Sequence, residues 1–253
     1  MIPMLPTDRA LRDRLAGGEP FGLVWLAIGS AAIAEIAGGT GAQAIVIDLQ
    51  HGLWDRLGLE AAVGLTRAPT LIRVEENTPL AIGRALDSGA DGVLVPLVET
   101  AEEAAAAVAS SRFPPQGRRS GGGVRPLGGG FGTYLAAAHG IAVGVMIETA
   151  RGVENATAIA AVPGLDFILI GTGDLGLSYA GTDDPEARRE AGCAAVLAAC
   201  RAANLPCGIF TLTAAAARAR RTEGYALTVV ANDIDVIRTG FAAAIDAFAA
   251  DAR

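Results

Sequence analysis

Apolar residues along this chain gather in short, mostly continuous runs rather than in alternating or heptad patterns. The runs cover residues 21–28, 44–48, 71–74, 92–95, 141–147, 167–170, 206–210 and 226–230, and turn residues or charged residues stop most of them. A run that is apolar on both faces predicts a strand buried on both faces, as in a parallel sheet. The segments between them have helical character. Ser30 and Thr100 stand where N-caps belong, and Pro79 and Pro185 follow Thr78 and Asp184 at first-turn positions. Eight strand–helix pairs predict an α/β fold, a (β/α)8 barrel occupying residues 1–253 as one domain.

The stretch 141–178 organises the rest. A strand stops at Glu148, a helix over 151–161 is broken by Pro163-Gly164, and a second strand ends in Gly171-Thr172-Gly173-Asp174. Both strands deliver a carboxylate to the carboxyl-terminal edge of the sheet, where barrels keep their chemistry. Two acids there make a seat for a hard divalent cation. The glycine-rich turn lacks the third glycine and the helix start of a dinucleotide fingerprint. Residues 113–131 (FPPQGRRSGGGVRPLGGGF) show no period and are expected to form a long functional loop.

Composition narrows the chemistry. All 20 residues counted as Lys+Arg are arginine, which excludes a Schiff-base aldolase, a pyridoxal phosphate enzyme and a P-loop nucleotidase. Carbonyl chemistry would need a metal or hydrogen bonds as its electron sink. A net charge of −7 argues against nucleic acid and against a basic membrane-binding face. No apolar run is long enough to span a membrane, and residues 1–20 lack the apolar core of a secretory signal, which points to the cytoplasm. Cys193, Cys200 and Cys207 are spaced seven apart, unlike a zinc site, and read as small buried side chains.

Four side chains fall at strand ends on the expected catalytic edge. His51 lies three residues after Asp48, whose carboxylate could orient its ring. Arg73 closes a strand and reads either as a salt bridge to Glu75 or Glu76 or as a clamp on a substrate oxygen. Glu148 and Asp174 read either as metal ligands or as caps and ion pairs, for example with Arg151. The other histidine, His139, reads as structural.

Several motifs together resemble the HpcH/HpaI-type, class II pyruvate aldolases: Ile47-Asp48-Leu49-Gln50-His51-Gly52, Ile72-Arg73-Val74, Leu86-Asp87-Ser88-Gly89-Ala90-Asp91-Gly92, Pro115-Gln116-Gly117-Arg118-Arg119, Ile147-Glu148-Thr149 and Ile170-Gly171-Thr172-Gly173-Asp174-Leu175. The resemblance runs from about residue 22 to 237. It implies a (β/α)8 barrel of the phosphoenolpyruvate/pyruvate superfamily, a homohexamer in which the last helix is exchanged between subunits. The implied reaction is reversible cleavage of 4-hydroxy-2-oxo acids to pyruvate and an aldehyde through the enolate. Carried over, Glu148 and Asp174 hold Mg2+ or Mn2+, with Co2+ or Zn2+ as further candidates. His51 is the acid/base, Arg73 stabilises the enolate, and Asp48 and Asp87 support the histidine. Thr172 and the N–H groups of Gly173 and Asp174 bind the pyruvate carboxylate. Asp87 falls near a helix end at the opposite edge, so it would reach a histidine only through a bend or from another subunit. Gln50, Met146 and the Gly-Thr-Gly-Asp turn depart from the family pattern. Two other readings are a lyase for CoA thioesters of hydroxy acids, with Arg118, Arg119 and Arg125 meeting the phosphates, and a non-catalytic binding barrel.

Overall fold

A computed structural model describes residues 10–250. Its eight parallel strands are β1 (Phe21–Leu26), β2 (Ala44–Asp48), β3 (Thr70–Arg73), β4 (Gly92–Val95), β5 (Ala142–Ile147), β6 (Phe167–Ile170), β7 (Cys207–Ile209) and β8 (Leu227–Asn232). They pair in sequence order, and β8 closes on β1 with a register shift between Leu23 and Val24. The (β/α)8 barrel expected from the runs is therefore the fold.

The period-two alternation of each strand sorts its residues between two cores. Ile45, Ile47, Ile72, Val93, Val145, Ile168 and Ile170 face outward and pack against the surrounding helices. Leu23, Trp25, Ala44, Val46, Leu71, Leu94, Met146 and Leu169 face inward and fill the lumen, with Leu11 and Leu15 of the helix Leu11–Ala16 joining this inner cluster. Gly144 belongs to the lumen too, because a Cβ there would meet the Phe167 ring. Extended by one step of two, the inward phase places Asp48, Arg73 and Glu148 above Val46, Leu71 and Met146. The site is the top layer of the packed lumen.

Local boundaries differ from the apolar runs for identifiable reasons. The first strand ends at Leu26 because the N–H groups of Ala27 and Ile28 donate to the Asp233 carboxylate instead of a neighbouring strand. The segment 151–161 forms two helices, Ala150–Glu154 and Ala156–Ala160, divided at Asn155, whose Nδ2 donates to the Glu99 carbonyl. Residues 113–131 are not structureless: Val124–Leu127 is helical and a helix Phe131–Ala137 follows. A further correction concerns the glycine-rich turn, which does open a helix, Thr172–Ser178. Ser30, Thr78, Thr100 and Asp184 cap their helices as expected, Thr100 within a capping box completed by Glu103. Among the described residues no helix is long and apolar enough to cross a membrane. The three cysteines are free and buried. The reading of residues 1–20 rests partly on residues 1–9, which lie outside the described ones.

Candidate active site

Asp48, at the end of β2, is saturated with donors. Its Oδ1 accepts from Arg73 Nε (2.8 Å) and from the main-chain N–H groups of Gln50 (3.0 Å) and His51 (3.2 Å). Its Oδ2 accepts from Arg73 Nη2 (2.5 Å) and Trp25 Nε1 (3.2 Å). Burial alone would raise the Asp48 pKa, but the bonds and charge of Arg73, with Trp25 and His51, hold it below the ordinary value. The partner of Arg73 is thus Asp48, not Glu75 or Glu76. A buried arginine on this strand is tolerable because the pair is bidentate and further hydrogen-bonded.

His51 is exposed at the barrel mouth. Asp48 holds it through its main-chain N–H, so the aspartate fixes the turn that carries the imidazole. Main-chain bonds from Leu49 N to the Arg73 carbonyl (2.9 Å) and from Leu53 N to the Ala27 carbonyl (2.8 Å) tie the turn to its neighbours. Trp54 Nε1 adds a bond to the Leu26 carbonyl (3.1 Å).

Glu148 follows β5 and is 1% exposed. Its Oε1 accepts the Leu97 N–H (2.8 Å). Leu97 adopts φ +54°, a left-handed backbone that costs an L-residue about 1–2 kcal/mol. That conformation accompanies a main-chain donor presented to the carboxylate. On the other side, a Cβ at Gly171 would collide with Glu148 Oε2. Burial pushes the Glu148 carboxyl up to about 7; the Leu97 N–H and the Arg73 charge oppose this, while the charges of Asp174 and Asp48 add to it. Asp174 lies in the first turn of the helix Thr172–Ser178, and Thr172 Oγ1 donates to the Phe210 carbonyl (3.1 Å). N–H groups in a first helical turn have no acceptor within the helix. Arg151 pairs with Glu99 at 3.2 Å rather than with Glu148 or Asp174.

The donors suit a divalent cation. They are hard carboxylate oxygens, and a cation would offset the burial that raises the Glu148 carboxyl to about 7. Among the described residues nothing donates a hydrogen bond to the buried Gln50 Oε1. Among the described residues no three His, Cys, Asp or Glu side chains cluster as a metal cage. A cation on Glu148 and Asp174 would complete its shell with substrate oxygens and water, as Mg2+ commonly does.

Not all of the expected residues converge. Asp87 ends the helix Pro79–Asp87 at the amino-terminal edge, where it pairs with Arg119 Nη2 at 3.2 Å. His139 lies in a short 3-10 turn leading into β5, at that same far edge, and its carbonyl accepts from Arg12. Trp25 and Phe210 were not singled out from the sequence, yet they reach the site. The inward phase Phe21, Leu23, Trp25 was the signal available for the indole.

Comparison with known proteins places the chain among aldolases. The hydroxypyruvate/pyruvate aldolase of Paraburkholderia phytofirmans is 33% identical over 238 residues, covering 88% of this chain and 91% of that protein. The 5-keto-4-deoxy-D-glucarate aldolase of Salmonella arizonae is 36% identical, covering 88% and 90%. The crystal structure of an HpcH/HpaI aldolase/citrate lyase family protein from Burkholderia cenocepacia superposes with a TM-score of 0.85 at 32% identity, covering 94% of this chain and 98% of that one. The family pattern described as HpcH/HpaI aldolase/citrate lyase matches residues 22–239, and the chain belongs to that family.

Proposed function

We propose that this carbon–carbon lyase is a pyruvate aldolase that cleaves 4-hydroxy-2-oxo acids to pyruvate and an aldehyde and catalyses the reverse addition. Glu148 and Asp174 would hold a divalent cation, Mg2+ or Mn2+ before Co2+ or Zn2+. Such a cation would polarise the 2-keto group and offset the negative charge that grows on its oxygen during cleavage. The observation that carries the reading is the buried Glu148, close enough to the Arg73–Asp48 pair and to Asp174 for their charges to act on its pKa.

The chain's own residues supply the remaining chemistry. Arg73, held at Nε and Nη2 by Asp48, has no protein acceptor for Nη1 among the described residues. The Nη1 N–H groups are therefore available to a substrate oxygen. His51 takes the proton of the 4-hydroxyl, the C3–C4 bond breaks, and its electron pair passes into the enolate. The proton can then return to C3 of the released pyruvate. Thr172 and the N–H groups of Gly173 and Asp174 receive the carboxylate. Asp48 supports His51 through the turn, and Asp87 could do so only from a neighbouring subunit.

We also assign one domain to residues 1–253, a cytoplasmic location and a homohexameric assembly with an exchanged last helix. Exposure of Ile234, Val236, Phe241, Ile245 and Phe248 on the helix Asp233–Ala250 supports the exchange. Each arginine suggested for CoA makes a contact within the chain: Arg118 with Ser110, Arg119 with Asp87 and Arg125 with the Glu60 carbonyl. The deciding experiment is pyruvate release from a panel of 4-hydroxy-2-oxo acids, with EDTA and with Mn2+ restored. Release that EDTA abolishes and Mn2+ restores is expected. Release untouched by EDTA would exclude the metal, and no release from any member would support a binding barrel.

A further inference from the structure

We propose that Trp25 is a positioning residue, setting the orientation of the Arg73–Asp48 pair and so of the guanidinium edge offered to the substrate. The proposal rests on the aldolase reading above. Trp25 lies in the inward phase of β1 and is 4% exposed. One indole touches both members of the pair: Nε1 donates to Asp48 Oδ2 at 3.2 Å, and Arg73 Cζ lies 5.0 Å from the ring centroid. The N–H meets the anion and the π face meets the cation, so each contact has the favourable sign. Rotation of the ring would lose both together.

The indole is itself fixed from the far side of β8. Phe210, just beyond β7, meets it edge-on with centroids 5.2 Å apart and planes at 83°. The Phe210 carbonyl in turn accepts the Thr172 hydroxyl, so the floor of the site joins the Arg73 side to the glycine-rich turn. If only lumen volume mattered, a phenylalanine at position 25 would serve without placing a polar N–H in the core. Asp48 already has four other donors, so the indole N–H is not needed to keep it ionised. What it adds is direction: it fixes Oδ2, and Oδ2 with Oδ1 fixes the Nε–Nη2 edge, so the indole sets the plane of the guanidinium.

The test is Trp25→Phe, which keeps a ring and removes the N–H. Exchange of pyruvate methyl protons with D2O should slow about tenfold at saturating pyruvate, within the range of coupled contacting residues, with little change in KM. In an Arg73→Ala background the same substitution should cost less than about twofold, because a residue acting through Arg73 has nothing left to position. Equal factors in both backgrounds would overturn the proposal in favour of packing or direct substrate contact. A readout independent of activity is the 15N spectrum of arginine Nε–H groups. The Arg73 signal should shift or broaden in Trp25→Phe, and an unchanged signal overturns the proposal even if the wild type shows no exchange at all. Should Trp25→Phe not fold, Arg73→Lys gives the converse view. The chain has two tryptophans. The Trp25 indole N–H should shift and that of Trp54 should not; two unmoved signals would refute positioning.

Discussion

Both oxygens of Asp48 are bound by Arg73, Nε at 2.8 Å and Nη2 at 2.5 Å, in a pair whose side chains are only 3% and 8% exposed. A buried pair of this kind contributes little net stability over apolar residues of the same shape, yet removing one partner strands a charge. Asp48→Asn should therefore destabilise the barrel by about 3–5 kcal/mol in urea unfolding. Adding Arg73→Met to that variant should recover much of the loss. A double variant no more stable than the single one would show that Asp48 matters chiefly for the His51 turn.

Glu148 predicts an unusual pH dependence. Its carboxyl is raised from 4.5 to about 7, so the folded protein keeps a proton that the unfolded chain releases. Without metal, the Glu148 contribution is most favourable below pH 4.5 and is lost as pH rises through 7, by an amount on the order of 3 kcal/mol. The difference in stability between wild type and Glu148→Gln, followed in EDTA from pH 4.5 to 8, should show this slope. Mn2+ competes with that proton, so its affinity should climb up to about pH 7 and level off above it. A flat affinity across this interval would mean that Glu148 is not a ligand.

The strands were legible because a run buried on both faces is mostly apolar, with its charged residues at the end. The same rule exposed Glu148 and Arg73, since each is a charge placed where an apolar run stops. Pairings between strands were not legible. Arg73 has acidic neighbours two and three residues on, but β2 lies beside β3 with Asp48 in register opposite Arg73. The helix Thr172–Ser178 was hidden by its glycines, which lower helix propensity although tertiary packing overrides them here. The loop 113–131 likewise showed no period because its order comes from single long contacts, such as Arg125 with the Glu60 carbonyl. Trp25 belongs to an apolar run in which nothing distinguishes a packing residue from one that donates to a carboxylate.

Gly171 offers a test of the metal seat that leaves both carboxylates in place. A Cβ there would strike Glu148 Oε2 and approach Glu148 Cβ at 2.9 Å and Met146 Cε at 3.0 Å. The Leu97 N–H holds the other oxygen, so the carboxylate cannot swing aside without losing that bond. Gly171→Ala should weaken Mn2+ binding by about tenfold or more, since a misplaced oxygen ligand is costly in a small, hard-cation shell. Retention of the circular dichroism spectrum would separate this from unfolding. Unchanged Mn2+ affinity would place the cation away from Glu148 Oε2.

Separating the base from the charge-stabilising groups needs only pyruvate. Exchange of its methyl protons with deuterium requires enolate formation and no aldehyde. On the proposed reading Arg73 would meet the charge that develops on the 2-keto oxygen, so Arg73→Ala should slow exchange by about 10²–10³, the usual effect of losing one preorganised donor. His51 is exposed at the mouth, on the solvent side of the pair, which suits proton transfer at the far end of a longer substrate. His51→Ala should cut cleavage of a 4-hydroxy-2-oxo acid by about 10²–10⁴. If the imidazole serves only the 4-hydroxyl, exchange in that variant should stay within a few-fold of wild type; if it also returns the proton to C3, both rates should fall together. Proton NMR of pyruvate in D2O, alongside cleavage assays of the two variants and an EDTA control, distinguishes these outcomes. Full cleavage by His51→Ala, with exchange still dependent on Arg73, would place the base elsewhere. His139, at the opposite edge of this barrel, could then act only on the site of another subunit.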